Sequence, residues 1–119
     1  MAREDELAKR RHDRLVARVE DLMRASLKPE YEGFYGSVTL TEADVEELGG
    51  EAGEVRRAAR AAGRHLGWKT VTREIDGRIF IADDREAPQA VRDLAMQRSA
   101  DAVAALMKET RGGHCPRPV

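Results

Sequence analysis

Apolar residues recur at helical spacing near both ends of the chain. Toward the start they fall mostly three or four residues apart, at Leu7, Leu15, Val16, Val19, Leu22, Met23 and Leu27. This spacing predicts a long amphipathic helix from about Arg3 to Leu27, and Pro29 prevents its continuation. A second apolar stripe occupies Val91, Leu94, Ala95, Ala102 and Leu106. It predicts another helix, with Pro88 in its first turn and its end near Lys108.

Shorter patterns lie between these two helices. The β-prone run from Ser37 to Leu40 predicts a short strand. Thr41, followed by acidic residues, is typical of an N-cap whose first helical turn complements the helix dipole. We expect this helix to run to about Leu48, where Gly49-Gly50 ends it. The stretch GGEAG is then the predicted connector to the next helix.

The next predicted helix, Glu54 to Leu66, has two chemically different faces. On a helical wheel its apolar face is formed by Val55, Ala58, Ala59, Ala62 and Leu66. The opposite face carries the arginines Arg56, Arg57, Arg60 and Arg64. Gly63 is expected to weaken the helix by about 1 kcal/mol relative to alanine, and Gly67 suits the left-handed cap that ends it. One face is therefore expected to pack, while the other is cationic.

A β-hairpin is predicted directly after this helix. Thr70 to Ile75 and Ile79 to Ile81 are rich in strand-forming residues, and Asp76-Gly77 between them is a strong turn signal. The register stays open at this point. A two-residue turn pairs Glu74 with Ile79, whereas a three- or four-residue turn with a bulge shifts the pairing.

Positive and negative charges balance over the whole chain, but they are unevenly distributed between its segments. The 119 residues contain 21 basic and 22 acidic side chains, so no overall positive charge attracts the protein to nucleic acid. The segment from Glu54 to Arg73 has six basic residues and one acidic residue, whereas Thr41 to Glu51 has five acidic residues and no basic one. A local nucleic-acid surface is one interpretation. The alternative is that these two segments pair with each other, within or between subunits.

The predicted order is helix, strand, helix, basic helix, strand, tight turn and strand. It resembles the winged helix-turn-helix family over about Leu15 to Asp84. The resemblance implies an α+β fold, with a winged helix-turn-helix-like core and long N-terminal and C-terminal amphipathic helices. We expect one domain over residues 1–110 and a flexible tail over residues 111–119, which contain two glycines and two prolines.

In that family the basic helix commonly enters the major groove of DNA, while the hairpin, or wing, approaches the backbone or the minor groove. The resemblance therefore implies that the helix contributes contacts from Arg56, Arg57, Arg60 and Arg64. It implies wing contacts from Arg73 and Arg78, and Lys69, between helix and wing, completes the predicted site. Arginine suits this role because its planar fork of donors fits guanine edges and phosphates.

The sequence thus predicts a double-stranded DNA-binding protein, a small transcriptional regulator or accessory DNA-binding factor that dimerises through its terminal helices. The alternative is a non-enzymatic protein-interaction module on the same scaffold.

No glycine-rich phosphate loop, serine nucleophile elbow or series of metal ligands occurs in the sequence. We therefore expect no enzymatic activity, no cofactor and no metal. A third class, an enzyme with an unrecognised pocket around His65, is less favoured, because we expect His65 to be a partly buried packing residue.

The remaining features are given structural or incidental roles. Tyr31, Phe34 and Tyr35 are expected to pack over the core rather than to stack on bases. His114-Cys115 supplies too few ligands for a zinc site. No apolar run is long enough to span a membrane and the N-terminus is charged throughout, so we expect a cytoplasmic protein. The abundance of arginine over lysine is typical of a GC-rich bacterial genome.

Overall fold

The helices and strands follow one another along the chain in the predicted order. The computed structural model describes residues 2–113, and over these the chain forms four α-helices and three β-strands. They are α1 (Ala2–Ala25), β1 (Ser37–Leu40), α2 (Glu42–Leu48), α3 (Ala52–Leu66), β2 (Thr70–Ile75), β3 (Arg78–Asp83) and α4 (Gln89–Gly113), with a 3-10 turn at Pro29–Tyr31. The predicted α+β class is confirmed. The chain divides into two units, Met1–Glu86, which holds α1 to β3, and the segment from Ala87 onward, which holds α4.

The core of the first unit is formed by one face each of α1, α3 and the sheet. From α1 it takes Leu15, Val16, Val19 and Met23, and from α3 it takes Val55, Ala58, Ala59 and Ala62, as the apolar spacing predicts. The sheet side adds Leu40 of β1, Ile79 and Ile81 of β3, and Trp68, and α2 adds Val45. Because the α3 face consists mainly of alanines, α1 and the sheet approach this helix closely.

The start of α2 is fixed by reciprocal hydrogen bonds, which confirm Thr41 as the N-cap. The Thr41 hydroxyl accepts from the Asp44 backbone N–H at 3.2 Å, and the Thr41 backbone N–H donates to the Asp44 carboxylate at 2.9 Å. This backbone bond first, and the Thr41 side chain second, hold the pKa of Asp44 below its ordinary value. The charged form of Asp44 therefore contributes to this cap.

The connector between α2 and α3 is shorter than the sequence suggests. Gly49 ends α2 in the left-handed conformation, with φ of 81°, and α3 begins at Ala52 rather than at Glu54. Only Gly49, Gly50 and Glu51 separate the two helices. The reason is an N-terminal cap that was not predicted from the sequence. The Glu54 carboxylate accepts a hydrogen bond from the Glu51 backbone N–H at 3.3 Å and holds the first turn of α3.

The hairpin has a two-residue turn, which is the first of the two registers that the sequence allowed. Glu74 pairs with Ile79 and Ile75 with Arg78, while Asp76 and Gly77 have φ of 51° and 77°. Positive φ at both positions is typical of a type I′ turn, whose twist matches that of the flanking strands. Because β1 also pairs antiparallel with β3, the order across the sheet is β1-β3-β2.

The two faces of this sheet differ in burial. Leu40, Ile79 and Ile81 point into the core. Residues on alternate positions point away from it, because successive strand side chains project to opposite sides. The paired positions assign eight residues to this second side, which we call the open face: Ser37, Thr39, Val71, Arg73, Ile75, Arg78, Phe80 and Ala82.

A buried ion pair fastens the connector before β1 to the end of β3. The Asp83 side chain is 0% exposed and lies 2.7 Å from the Arg85 guanidinium, which also donates to the Gly33 carbonyl at 2.9 Å. That guanidinium lies over the Phe34 ring at 4.6 Å, so Phe34 packs on Arg85 rather than over the hydrophobic core as predicted. Tyr31 and Tyr35 pack edge to face on each other at 5.6 Å, and Tyr35 is 40% exposed, so the expectation that they pack over the core was wrong. Asp84 is exposed whereas Asp83 is buried, so these two neighbouring carboxylates point to different sides.

The helix of the second unit is longer than predicted. It runs from Gln89 to Gly113, and thus includes the first three residues of the predicted flexible tail. Val91 is buried, whereas four large apolar residues farther along are exposed: Met96, Val103, Leu106 and Met107. His114 and Cys115 lie outside the described residues. Within residues 2–113, no helix is both long enough and apolar enough to cross a bilayer.

Candidate nucleic-acid interface

Three arginines form a continuous exposed stripe along α3. Arg57, Arg60 and Arg64, which we call the arginine stripe, follow one another at intervals of three and four residues. They face solvent because Val55, Ala58, Ala59 and Ala62 turn the opposite side of α3 into the core. At 1.5 Å per residue, the stripe covers about 10 Å of helix. Among the described residues, none of the three forms an ion pair or a side-chain hydrogen bond, so their donors remain available.

The fourth predicted arginine of α3 has a different setting. Arg56 is partly buried, and its Nε donates to the Thr72 hydroxyl at 2.9 Å while Nη2 donates to the Thr72 carbonyl at 3.3 Å. In a two-residue hairpin, ladder hydrogen bonds alternate, which turns the backbone groups of Thr72 toward the free edge of β2. Arg56 therefore caps this edge and ties α3 to the sheet. These bonds separate Arg56 from the three exposed arginines, and its predicted DNA contact stays a prediction.

The predicted cations of the hairpin do not join the arginine stripe. Arg73 and Arg78 belong to the open face, whereas Thr70 and Thr72, which contact α3, belong to the other side of the sheet. Lys69 precedes β2, is exposed, and continues the same alternation onto the open face. The seven predicted residues thus fall into three places: the arginine stripe, the Arg56 bridge, and an open-face set of Lys69, Arg73 and Arg78.

The acidic segment does not neutralise the arginine stripe within the chain. Between residues 3 and 110, no ion pair joins the carboxylates of Thr41 to Glu51 to an arginine of α3. Glu42 instead lies against Gly77 in the hairpin turn. The carboxylates that pair at α3 come from elsewhere: Glu54 of α3 itself lies 3.5 Å from Arg11, and Glu20 of α1 contacts His65. The intramolecular form of the charge-pairing alternative is therefore contradicted.

His65 lies on the surface, which corrects the expectation that it is partly buried. Its side chain is 63% exposed, and Nδ1 lies 2.8 Å from the Glu20 carboxylate, which also pairs with Arg24 at 3.0 Å. This contact links the end of α3 to α1. In the part of the chain that the structure describes, no three residues among His, Cys, Asp and Glu are grouped so as to hold a metal ion.

Comparison of the chain with protein-family models, with curated proteins and with solved structures gave no match. Function is therefore inferred from the geometry of the molecule.

Proposed function

We propose that this chain is a double-stranded DNA-binding protein of the winged helix-turn-helix type, acting as a transcriptional regulator or an accessory DNA-binding factor. The observation that carries the proposal is the arginine stripe, whose donors are exposed and unpaired among the described residues. Two features of the backbone support it. The three-residue turn between α2 and α3 has the length of a helix-turn-helix connector, and the β2-β3 hairpin follows α3, the second of these helices.

The stripe suits the major groove in size and chemistry. An α-helix fits the groove, which is about 12 Å wide, and the roughly 10 Å stripe presents three guanidinium groups toward it. Each guanidinium can donate two parallel hydrogen bonds to a guanine edge or a phosphate. Binding would also release counterions from the duplex, so the affinity would fall as salt is raised.

The proposal assigns DNA contact to α3 rather than to the hairpin. Glu74 lies on the α3 side of the sheet, Asp76 lies in the turn, and Glu42 touches Gly77. These carboxylates place negative charge where the wing would meet a phosphate backbone. Arg57, Arg60 and Arg64 are therefore the residues expected to contribute most of the affinity.

The test is a fluorescence-anisotropy titration with mixed-sequence duplex DNA at low and moderate salt. The variant Arg57→Ala/Arg60→Ala/Arg64→Ala should bind at least about tenfold more weakly than wild type, with a shallower salt dependence, because three counterion-releasing charges are lost. The matched control, Lys69→Ala/Arg73→Ala/Arg78→Ala, removes the same number of positive charges from the open face. It should retain most of the affinity.

Equal losses in both variants would show that net charge, not the stripe, governs binding. Absence of wild-type binding at low salt would reject the proposal and favour the protein-interaction module. Circular dichroism of each variant confirms that the comparison is between folded proteins.

We also propose that the protein is a homodimer held together by its terminal helices. Met96, Val103, Leu106 and Met107 of α4 are exposed, as is Leu7 of α1. Large exposed apolar side chains along one helix are typical of a subunit interface.

Light scattering at micromolar concentration should give twice the mass of one chain. Val103→Glu should shift the mass to that of a monomer, whereas Ala105→Glu, about 200° away on α4, should not. A wild-type monomer would contradict the dimer proposal and leave the DNA proposal standing, because the arginine stripe lies within one chain.

A further inference from the structure

The open face of the sheet carries a second surface that DNA binding through α3 does not use. We infer that this face binds an acidic amphipathic helix of a partner protein. The inference rests on its apolar centre, its positive charge and its position on the side of the sheet opposite to the packed core. It is independent of the proposed DNA-binding function.

The centre of the open face is apolar and accessible. Ile75 is 52% exposed and Phe80 is 37% exposed, and Val71 and Ala82 are half-buried beside them. Most sheets bury an apolar face against another layer, and here the core occupies only one side. Two six-residue strands about 20 Å long and the four-residue β1, about 13 Å long, are spaced about 4.8 Å apart. Together they offer a platform on which one helix, about 10 Å across, can lie.

The positive charges on this face favour a partner that carries negative charge. Arg73 lies directly opposite Phe80, and Arg78 lies opposite Ile75, so cations stand next to the apolar residues. Lys69 adds a third cation at the beginning of β2. No strand residue of the open face is acidic, and the acidic residues that border these strands in the sequence are Asp76 in the turn and Asp84 after β3. A partner with carboxylates flanking an apolar stripe complements this pattern.

The same charges disfavour two copies of this face packing together. A symmetric pairing would bring Lys69, Arg73 and Arg78 of one copy against those of the other. The acidic α2 of a second copy is a poor occupant, because it exposes mainly carboxylates and little apolar surface. The surface therefore fits a different protein chain that has both apolar and acidic residues.

A single-stranded nucleic acid is the competing occupant, since sheets with arginines and aromatics also bind unstacked bases. Such platforms commonly use two or three aromatic side chains. Phe80 is the one aromatic residue on the open face, and its neighbours Val71 and Ile75 are aliphatic. Aliphatic surface suits leucine or isoleucine side chains better than stacked bases, so the polypeptide is favoured.

The test is an NMR titration of the full-length, 15N-labelled protein with a designed helical peptide of leucine and glutamate. The expected result is saturable shift changes centred on residues 71–82. The same peptide with lysine in place of glutamate, and oligothymidine, serve as the competing probes. Arg73→Glu/Arg78→Glu should weaken binding of the acidic peptide at least tenfold. Lys9→Glu/Arg14→Glu, an equal change of net charge on exposed residues of α1, should leave it within about twofold.

A second variant, Phe80→Ser, tests the apolar centre without changing charge and should also weaken binding at least tenfold. The inference is overturned if the acidic peptide produces no saturable shifts or shifts centred on α3. It is also overturned if oligothymidine saturates the open face while the peptide does not, or if the lysine peptide binds equally well. Thermal unfolding of each variant verifies that the fold is retained.

Discussion

Replacing Asp83 with alanine is expected to lower the free energy of unfolding by about 3 to 5 kcal/mol, because it leaves the partly buried Arg85 without its counterion. The carboxylate accepts from the backbone N–H groups of Lys69 and Arg85, at 3.1 and 3.0 Å, and from the Arg85 guanidinium at 2.7 Å. The substitution therefore loses hydrogen bonds as well as charge. Urea denaturation followed by circular dichroism measures the change.

Asp84→Ala is the matched control for this prediction. Asp84 is the same residue type one position later, but it is exposed, so its replacement should change stability by no more than about 0.5 kcal/mol. Asp83→Ala/Arg85→Ala should cost less than the sum of the two single changes, since neither partner then remains unpaired. A loss below about 1 kcal/mol for Asp83→Ala would show that this ion pair contributes little beyond its desolvation cost.

Gly63→Ala should destabilise the protein by about 2 kcal/mol, although alanine is the better helix former. A Cβ at position 63 would overlap the Thr70 hydroxyl oxygen and lie 2.9 Å from the Thr70 Cβ. The helix and β2 would have to move apart to admit it. The same denaturation experiment measures the effect.

The matched control is Gly53→Ala in the same helix, where a Cβ meets nothing within 4 Å. That change should leave stability unaltered or raise it by about 0.5 kcal/mol. Thr70→Ala should partly rescue Gly63→Ala, because it removes the overlapping hydroxyl, for which no hydrogen-bond partner occurs among the described residues. Equal effects of the two glycine substitutions would contradict the proposed close contact between α3 and β2.

For the cationic face of α3, the sequence pattern predicted which side is charged but not the contacts of each arginine. A helical wheel separates the arginines from the packed alanines, and the structure confirms that division. The wheel treats Arg56 like Arg57, although their side chains project about 100° apart. Which of them meets a strand depends on where β2 passes. Because β2 passes beside Arg56 and brings Thr72 to it, only three of the four arginines form the stripe.

In the hairpin, the local sequence predicted the turn but not the register of the strands. Asp76-Gly77 identified the turn, but local sequence allowed more than one register. The assignment of faces depends on register, because a shift of one residue exchanges the two sides of a strand. The observed pairing buries Ile79 and Ile81 against α3, and this burial puts Arg73, Arg78 and Phe80 together on the open face.

By itself, the sequence determined the α+β class, the order of the elements, the Thr41 cap, the turn at Asp76-Gly77 and the cationic side of α3. These features follow from interactions between residues close in the chain: helical periodicity, capping, turn preferences and strand propensity. The tertiary structure decided the edge cap by Arg56, the close contact of Gly63 with Thr70, the buried pair of Asp83 with Arg85 and the separation of the predicted cations. Each of these depends on how distant elements pack and pair, which local preferences do not specify.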